Sequence, residues 1–178
     1  CLSCIVDIRR GDAPMPRRFI EVLTYITFFP VMIAGPVIKY KNFRKLIEPE
    51  SLHFTAAGVS SGIILFAQGF IKRVAIASFF DASYDSIVER MMDYTEEPIS
   101  IGVGLILAVL LLTAVYFAFS GYSDMARGIC AMLGISLQPD FGVCILAHTP
   151  MEYANNFLAS LGEWIRDYIR RPLTAMLP

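Results

Sequence analysis

Charge is scarce in this chain and missing altogether from its longest apolar run. Only 17% of the 178 residues are charged, against about a quarter in soluble domains. The net charge is −1, so no basic field is present to recruit nucleic acid. Cysteine stops at four: Cys1, Cys4, Cys130 and Cys144. Cys1 and Cys4 form a C-x-x-C, but no second pair follows at zinc-ligand spacing, and no βαβ context supports a redox motif. The four read as plain thiols, and no metal site is expected. Histidine occurs twice, at His53 and His148. Both sit in loop-like contexts without a carboxylate at helical spacing, which favours surface or interfacial residues over general bases. A phosphate loop and a dinucleotide fingerprint are absent. So is the apolar–polar alternation that marks strands. Leu2 to Ile8 is too short, and too poor in preceding basic residues, for a signal peptide. The chain starts at Cys1 and stops at Pro178 just after an amphipathic segment, so it reads as a piece of a longer protein.

What is present is apolar. The composition is 56% hydrophobic, with mean hydropathy +0.57. Residues 99–119 read ISIGVGLILAVLLLTAVYFAF without one charge. At about 1.5 Å per residue, that run matches the roughly 30 Å hydrocarbon core of a bilayer. Residues 19–38 are apolar too, broken by Pro30 and Gly35-Pro36 and flanked by Arg9, Arg10, Arg17 and Arg18 before and Lys39, Lys41, Arg44 and Lys45 after. Such flanks fit a re-entrant or broken helix pair with both ends cytoplasmic; a single kinked span fits this segment equally. Residues 56–80 form another apolar stretch, interrupted by Lys72 and Arg73. Either the span ends near Ile71 with these cations snorkelling to the interface, or they face the protein interior. Asp81, Asp85, Glu89, Asp93, Glu96 and Glu97 then suit an extracytoplasmic loop. The fold class is therefore an all-α, polytopic integral membrane protein with broken or re-entrant and interfacial helices, multi-pass in the cytoplasmic (inner) membrane.

The sharpest polar feature is Asp124, which with Ser120 and Tyr122 follows the charge-free run. It reads equally as a helix-terminal cluster at headgroup level or as a carboxylate serving a polar cavity. Gly121-Tyr122-Ser123-Asp124-Met125 approaches a nucleophile elbow but lacks its final Gly and a preceding strand. Gly134 is expected to cap the helix through Leu133. Thr149, Pro150 and Glu152 form a helix start with a capping box. The spacing predicts a helix from there to about Leu161, with Glu152, Asn155, Asn156 and Ala159 near one face and a bend at Gly162. Residues 164–171, with Trp164 and Tyr168 beside Arg166, Arg170 and Arg171, are amphipathic and read as interfacial.

Several segments together resemble one family. Tyr25-Ile26-Thr27-Phe28-Phe29-Pro30 with Ala34-Gly35-Pro36, Phe70-Ile71-Lys72-Arg73 with Ile76-Ala77, and Phe119-Ser120-Gly121-Tyr122-Ser123-Asp124-Met125-Ala126 follow the motif order of the membrane-bound O-acyltransferases. Gly134, Pro139-Asp140-Phe141, and Trp164-Ile165-Arg166-Asp167-Tyr168 with Pro172-Leu173 continue it. The form is closest to the alginate O-acetyltransferase branch. The resemblance makes residues 1–178 part of a single such domain, truncated at both ends. It implies an enzyme moving an acyl group, acetyl in this branch, onto hydroxyls of an exported polysaccharide or cell-envelope polymer. No bound cofactor is implied; the acyl donor would be acetyl-CoA or an acyl carrier. Implied partners are the lipid bilayer, the donor, and the polysaccharide acceptor or a periplasmic or extracellular partner transferase. The family's catalytic histidine is expected downstream of this chain. Candidate tunnel or structural residues are Ser120, Tyr122, Asp124, Glu152, Asn156, Trp164, Arg166 and Asp167. Leu158 stands where the family carries another histidine, and Ala118 where an acid is common. A degenerate, inactive homologue acting as a membrane scaffold is the alternative reading.

Overall fold

The computed structural model describes residues 2–16, 18–32, 35–48, 52–93, 100–142, 148–149, 152–153 and 156–176. Arg17, Ile33, Ala34, Glu96, Glu97, Ile99, Cys1, Cys144, Pro150 and Asn155 lie outside these residues. Among the described residues the chain is all helix and loop, without a strand.

The core of the structure is an antiparallel helix hairpin. Its first arm starts with α5, Ala56–Ile71, continues through a π-helical segment at Lys72–Ala77, and ends as α6, Ser78–Asp93. Its second arm is α7, Ile101–Met132. Thr55 starts the first arm, its hydroxyl accepting from the Gly58 amide at 3.0 Å. Gly134 closes the second in the left-handed conformation at φ +79. Its N–H donates to the Ala131 carbonyl, and Ile135 N–H to Cys130 at 2.8 Å, the helix stop its sequence predicts. Glycines set the register. A Cβ on Gly69 would lie 2.5 Å from the Gly121 carbonyl oxygen, and one on Gly128 lies 2.7 Å from that of Gly62. Two glycines seven apart on each arm thus meet backbone to backbone, as small residues allow in membrane helix pairs. Both arms are long and apolar enough to cross a membrane, yet only 11% and 6% of their most apolar windows are buried. A soluble core helix would be mostly buried; these arms present their apolar surface outward.

Three expectations change here. The first arm does not end near Ile71, because the π-helical segment carries it on. Residues 81–93 are helix, not loop: Tyr84, Ile87, Val88 and Met91 form a half-buried face, while Asp81, Asp85 and Glu89 repeat at four-residue spacing outside it. And residues 19–38 do not form one kinked span. They give α2, Phe19–Ile26, then α3, Phe29–Met32, and the described residues 35–39 lie outside any helix. Eight helical residues rise only about 12 Å, so the broken-helix reading holds.

The N-terminal elements α1, Leu2–Arg10, and α4, Tyr40–Leu46, pack around an aromatic knot. Tyr25 lies 5.3 Å from Tyr40 and 5.1 Å from Phe43, ring to ring. The Tyr25 hydroxyl donates to the Ile38 carbonyl at 2.9 Å and meets Ser3 Oγ at 2.6 Å. At the other end of the chain, α8, Ala159–Ile165, a second π-helical segment, Arg166–Arg170, and α9, Arg171–Met176, run on as one rod.

The helix predicted through Leu161 breaks earlier. Leu158 sits at φ 53, ψ 54, a left-handed conformation that costs a branched residue about 1–2 kcal/mol. Asp140 holds the break: its carbonyl accepts from Ala159 N–H at 3.0 Å and its Oδ1 from Ser160 N–H at 2.6 Å. Gly162, where the bend was expected, lies inside α8. Ala159 therefore does not share a helix face with Glu152 and Asn156.

Candidate functional site

Among the described residues two polar clusters stand out, one inside the hairpin and one where α1 meets the rod of residues 159–176. In the first, Lys72 reaches across from the π-helical segment to α7. Its Nζ lies 2.5 Å from Asp124 Oδ2 and 3.3 Å from Ser120 Oγ. Asp124 Oδ1 also takes Arg127 Nη1 at 3.1 Å. Arg73, one residue on, places its guanidinium 5.5 Å from the Tyr122 ring centre, a cation–π contact. So Lys72 and Arg73 face protein groups rather than snorkelling away. Asp124 does not end its helix, since α7 continues to Met132; it is the centre of an interhelical ion triad. π-helical turns often accompany functional sites; this one turns both cations toward α7.

The second cluster gathers α1, the Lys39 segment and the rod at the chain's C-terminal end. Lys39 Nζ lies 2.6 Å from Asp167 Oδ2 and 3.0 Å from Glu163 Oε2. Arg171 Nη1 is 3.1 Å from Asp167 Oδ1, and Arg166 Nε 3.9 Å. Beneath them Asp7, buried, accepts from the Tyr168 hydroxyl at 2.6 Å and from the Lys41 amide at 3.1 Å. Burial works against the Lys39 charge, but hydrogen bonds to Asp167 and Glu163 outweigh it and raise its pKa above the usual 10.5. The Lys39 hydrogen bond, against burial, holds Asp167 below its usual 3.8. Burial, reinforced by the Asp7 carboxylate, pushes the Tyr168 hydroxyl up, so it stays a donor. The segment expected to lie in the interface thus packs its Asp167–Tyr168 side on the protein, with the Trp164 and Tyr168 rings 5.4 Å apart.

Between the clusters lies a pocket of about 580 Å³. Its walls come from residues 36–46, from 136–140 and from α8, with Lys39, Lys45, Asp140, Ser160 and Glu163 among its polar lining. Ser160 Oγ accepts from Val37 N–H at 2.7 Å, tying α8 to the segment 35–39. Asp140 Oδ2 is buried without a hydrogen-bond partner among the described residues, an unspent acceptor beside the pocket. Arg127 ties the first cluster to the pocket: its Nε donates to the Leu137 carbonyl on the pocket wall at 3.4 Å.

Of the sequence candidates, Ser120 and Asp124 meet in the first cluster, with Tyr122 beside them under Arg73. Trp164, Arg166 and Asp167 meet in the second. Glu152 is exposed and only caps locally, its amide donating to Thr149 Oγ1 at 3.1 Å. Its Oε2 accepts from the His148 amide at 2.9 Å, one residue before the partner a capping box requires. Asn156 offers its carbonyl to Gly142 N–H at 3.0 Å and joins neither cluster. The sequence pattern does not single out Asp7, Lys39, Asp140, Ser160 or Glu163. Asp7 and Asp140 are long-range helix-start partners that no local spacing reveals; a lone Lys in a basic flank gives no sign of its carboxylates over 120 residues away.

Among known proteins, the model of the family described as MBOAT, membrane-bound O-acyltransferase family, matches residues 15–177. A probable alginate O-acetylase of Pseudomonas putida is 32% identical over 168 residues, covering 94% of this chain and 33% of that protein. A peptidoglycan O-acetyltransferase of Helicobacter pylori is 24% identical over 161 residues, 88% of this chain and 29% of its own length. A teichoic acid D-alanyltransferase of Bacillus subtilis is 25% identical over 174 residues, with shares of 94% and 42%. The chain spans about a third of the length of the alginate relatives it matches. The matched region holds both clusters except Asp7, which precedes it.

Proposed function

Because this chain belongs to the membrane-bound O-acyltransferase family, we propose that it forms part of a multi-pass enzyme of the cytoplasmic membrane that transfers an acyl group, acetyl first, to hydroxyls of an exported polysaccharide or envelope polymer. The observation that carries this reading is the family match over residues 15–177. The relatives' names differ in polymer (alginate, peptidoglycan, teichoic acid) and in acyl group (acetyl, D-alanyl). They share acyl transfer to an envelope polymer, and the alginate relatives are the most similar of the three kinds.

In this reading residues 1–178 belong to one domain, and the two polar clusters brace the pocket walls. Lys39, Asp140 and Ser160 line the space; Asp167, Trp164 and Tyr168 hold α8 against it; Lys72, Asp124, Ser120 and Arg127 fix the hairpin that carries the 136–140 wall. Tyr122 shields Arg73, and Arg166 adds to the charge around Asp167. Glu152 and Asn156 serve the approach to α8. The acceptor hydroxyl needs a base. His53 and His148 are both exposed, and neither ring bonds a carboxylate among the described residues. The base in this reading is the histidine that the family resemblance implies downstream of this chain. The acyl donor is acetyl-CoA or an acyl carrier, and a partner transferase on the outer side completes delivery to the polymer.

The test is a polymer acetylation assay on the full-length parent, on Leu158→His, and on the alanine variant of the downstream histidine. The parent is active, the downstream change abolishes activity, and Leu158→His alters it by no more than about tenfold, one modest contact. An inactive parent that Leu158→His rescues would overturn this assignment. A parent that stays inactive throughout would favour the scaffold.

A further inference from the structure

Two walls of the 580 Å³ pocket come from distant parts of the chain. One is α4 with the residues before it, where Lys39, Asn42 and Lys45 face the space; the other is α8, with Ala159, Ser160 and Glu163. The covalent chain fixes neither wall against the other, so non-covalent ties set the gap between them. Two ties cross it directly: the Val37 amide to Ser160, and Lys39 to Glu163 and Asp167. The lysine ammonium rides on a flexible four-carbon stem with three donors, so it can follow a wall that moves.

A third tie has no such slack. Asp7 does not line the pocket. Its Oδ1 accepts from the Tyr168 hydroxyl at 2.6 Å and its Oδ2 from the Lys41 amide at 3.1 Å. Tyr168 stands on the rod that continues α8, and Lys41 in the first turn of α4. One short carboxylate therefore holds both walls from behind. Asp7 is 1% exposed and has no ion pair among the described residues. Burying a carboxylate without a counter-charge is costly, and the two charge-assisted hydrogen bonds offset that cost. An asparagine would avoid the charge, but its single oxygen cannot accept from both donors as the two carboxylate oxygens do. The backbone is pinned as well: the Asp7 carbonyl accepts from the Asp12 and Ala13 amides at 2.9 and 3.2 Å. One turn earlier, Ser3 of the same helix meets the Tyr25 hydroxyl at 2.6 Å.

We propose that Asp7 is a positioning residue for the substrate that enters this pocket: it fixes the spacing of the α4 and α8 walls from outside the space, and through that spacing the affinity. Asp7 precedes residues 15–177, which the family model matches. The proposal rests on the acyl-transfer reading only for what the pocket binds.

The experiment uses the full-length protein in inside-out membrane vesicles, with Asp7→Ala, Asp7→Asn and Tyr168→Phe. Wall spacing is read by pulsed EPR between nitroxides on Lys45→Cys and Gly162→Cys, with native cysteines replaced; both positions are exposed, and a Cβ on Gly162 meets nothing within 4 Å. Unlabelled protein is assayed for acetyl transfer to polymer against the concentration of acetyl-CoA, the probe donor. Asp7→Ala should broaden the distance distribution and raise KM by about tenfold with kcat within about twofold, the pattern of lost binding on the scale of one contact. Asp7→Asn and Tyr168→Phe should fall between Asp7→Ala and the parent, and carry the test if Asp7→Ala does not reach the membrane. Tyr168→Phe added to Asp7→Ala should change neither readout further, since the bond is already gone. Parent-like distances in all three variants would overturn the proposal. So would a fall in kcat at unchanged KM, which a smaller folded fraction alone produces. A parent that transfers nothing from acetyl-CoA would count against the activity reading instead, and the distances would then decide the role of Asp7 without turnover.

Discussion

Asp124→Asn tests whether the interhelical triad holds the hairpin. The amide keeps the shape but removes the charge that Lys72 and Arg127 share, at 2.5 and 3.1 Å. Removing one partner of a fully buried pair costs about 3–5 kcal/mol, whereas an exposed pair contributes about 0.2–1 kcal/mol. The Asp124 side chain is 14% exposed and that of Lys72 35%, so the pair falls between these limits, nearer to half of the buried figure. A loss of about 2 kcal/mol is expected, roughly a thirtyfold change in the folding constant. The assay is equilibrium unfolding of the full-length protein in mixed detergent, run as a double-mutant cycle with Lys72→Met. Lys72→Met removes the ammonium and keeps most of the stem, so the double variant should lose less than the two singles together. A coupling energy of about 1–2 kcal/mol is expected for residues in one network. Additive losses, with coupling under about 0.5 kcal/mol, would show that Lys72 and Asp124 do not act together and would refute the triad as the brace.

Gly69→Leu should prevent stable assembly of the hairpin, because its Cβ already meets the Gly121 carbonyl and the Met125 amide at 2.5 and 2.7 Å; Gly104→Leu, with nothing within 4 Å, should accumulate normally on a membrane blot. Asp140→Ala should cost about 1 kcal/mol or somewhat more in the same unfolding assay, the usual loss when a helix-start acceptor is removed, and Ser160→Ala less. Thermal melts in detergent against pH should show two limbs. Asp167, held below 3.8 by Lys39, contributes stability above its unfolded pKa and loses it as pH falls through its lower folded value. Lys39, held above 10.5, contributes below that value and loses it as pH rises through its higher folded one. Asp167→Asn should flatten the acid limb; an unchanged acid limb would remove the pair from the account.

Periodicity and punctuation made part of this structure legible in the sequence. The charge-free run declared α7, Gly134 its end, and Pro30 with Gly35-Pro36 the broken segment before Lys39. Where a residue's role depends on a distant partner, local reading failed. Residues 81–93 carry enough acid to look like a loop, and only the half-buried Tyr84, Ile87, Val88 and Met91 face shows why they stay helical. Leu158 carries no glycine-like signal for a left-handed turn; Asp140, 18 positions earlier, enforces it. Asp124 stood undecided between headgroup and cavity because nothing local to it names Lys72, which the π-helical turn delivers from the other arm. Asp167 stands in a recognisable motif, yet nothing local distinguishes its partner Lys39 from the other flanking cations.

The proposed activity of the full-length protein is to place acyl esters on an envelope polymer from within the membrane. The most direct measurement is the base-labile acetyl content of purified exported polysaccharide, by proton NMR, from cells carrying and lacking the full-length protein. Membrane insertion is checked in the same cells by resistance to alkaline carbonate. Acetyl esters are expected in the first sample, their loss in the second, and retention of the protein in the carbonate-resistant membrane fraction. Equal acetyl content in both samples, with the protein present in the membrane, would contradict it.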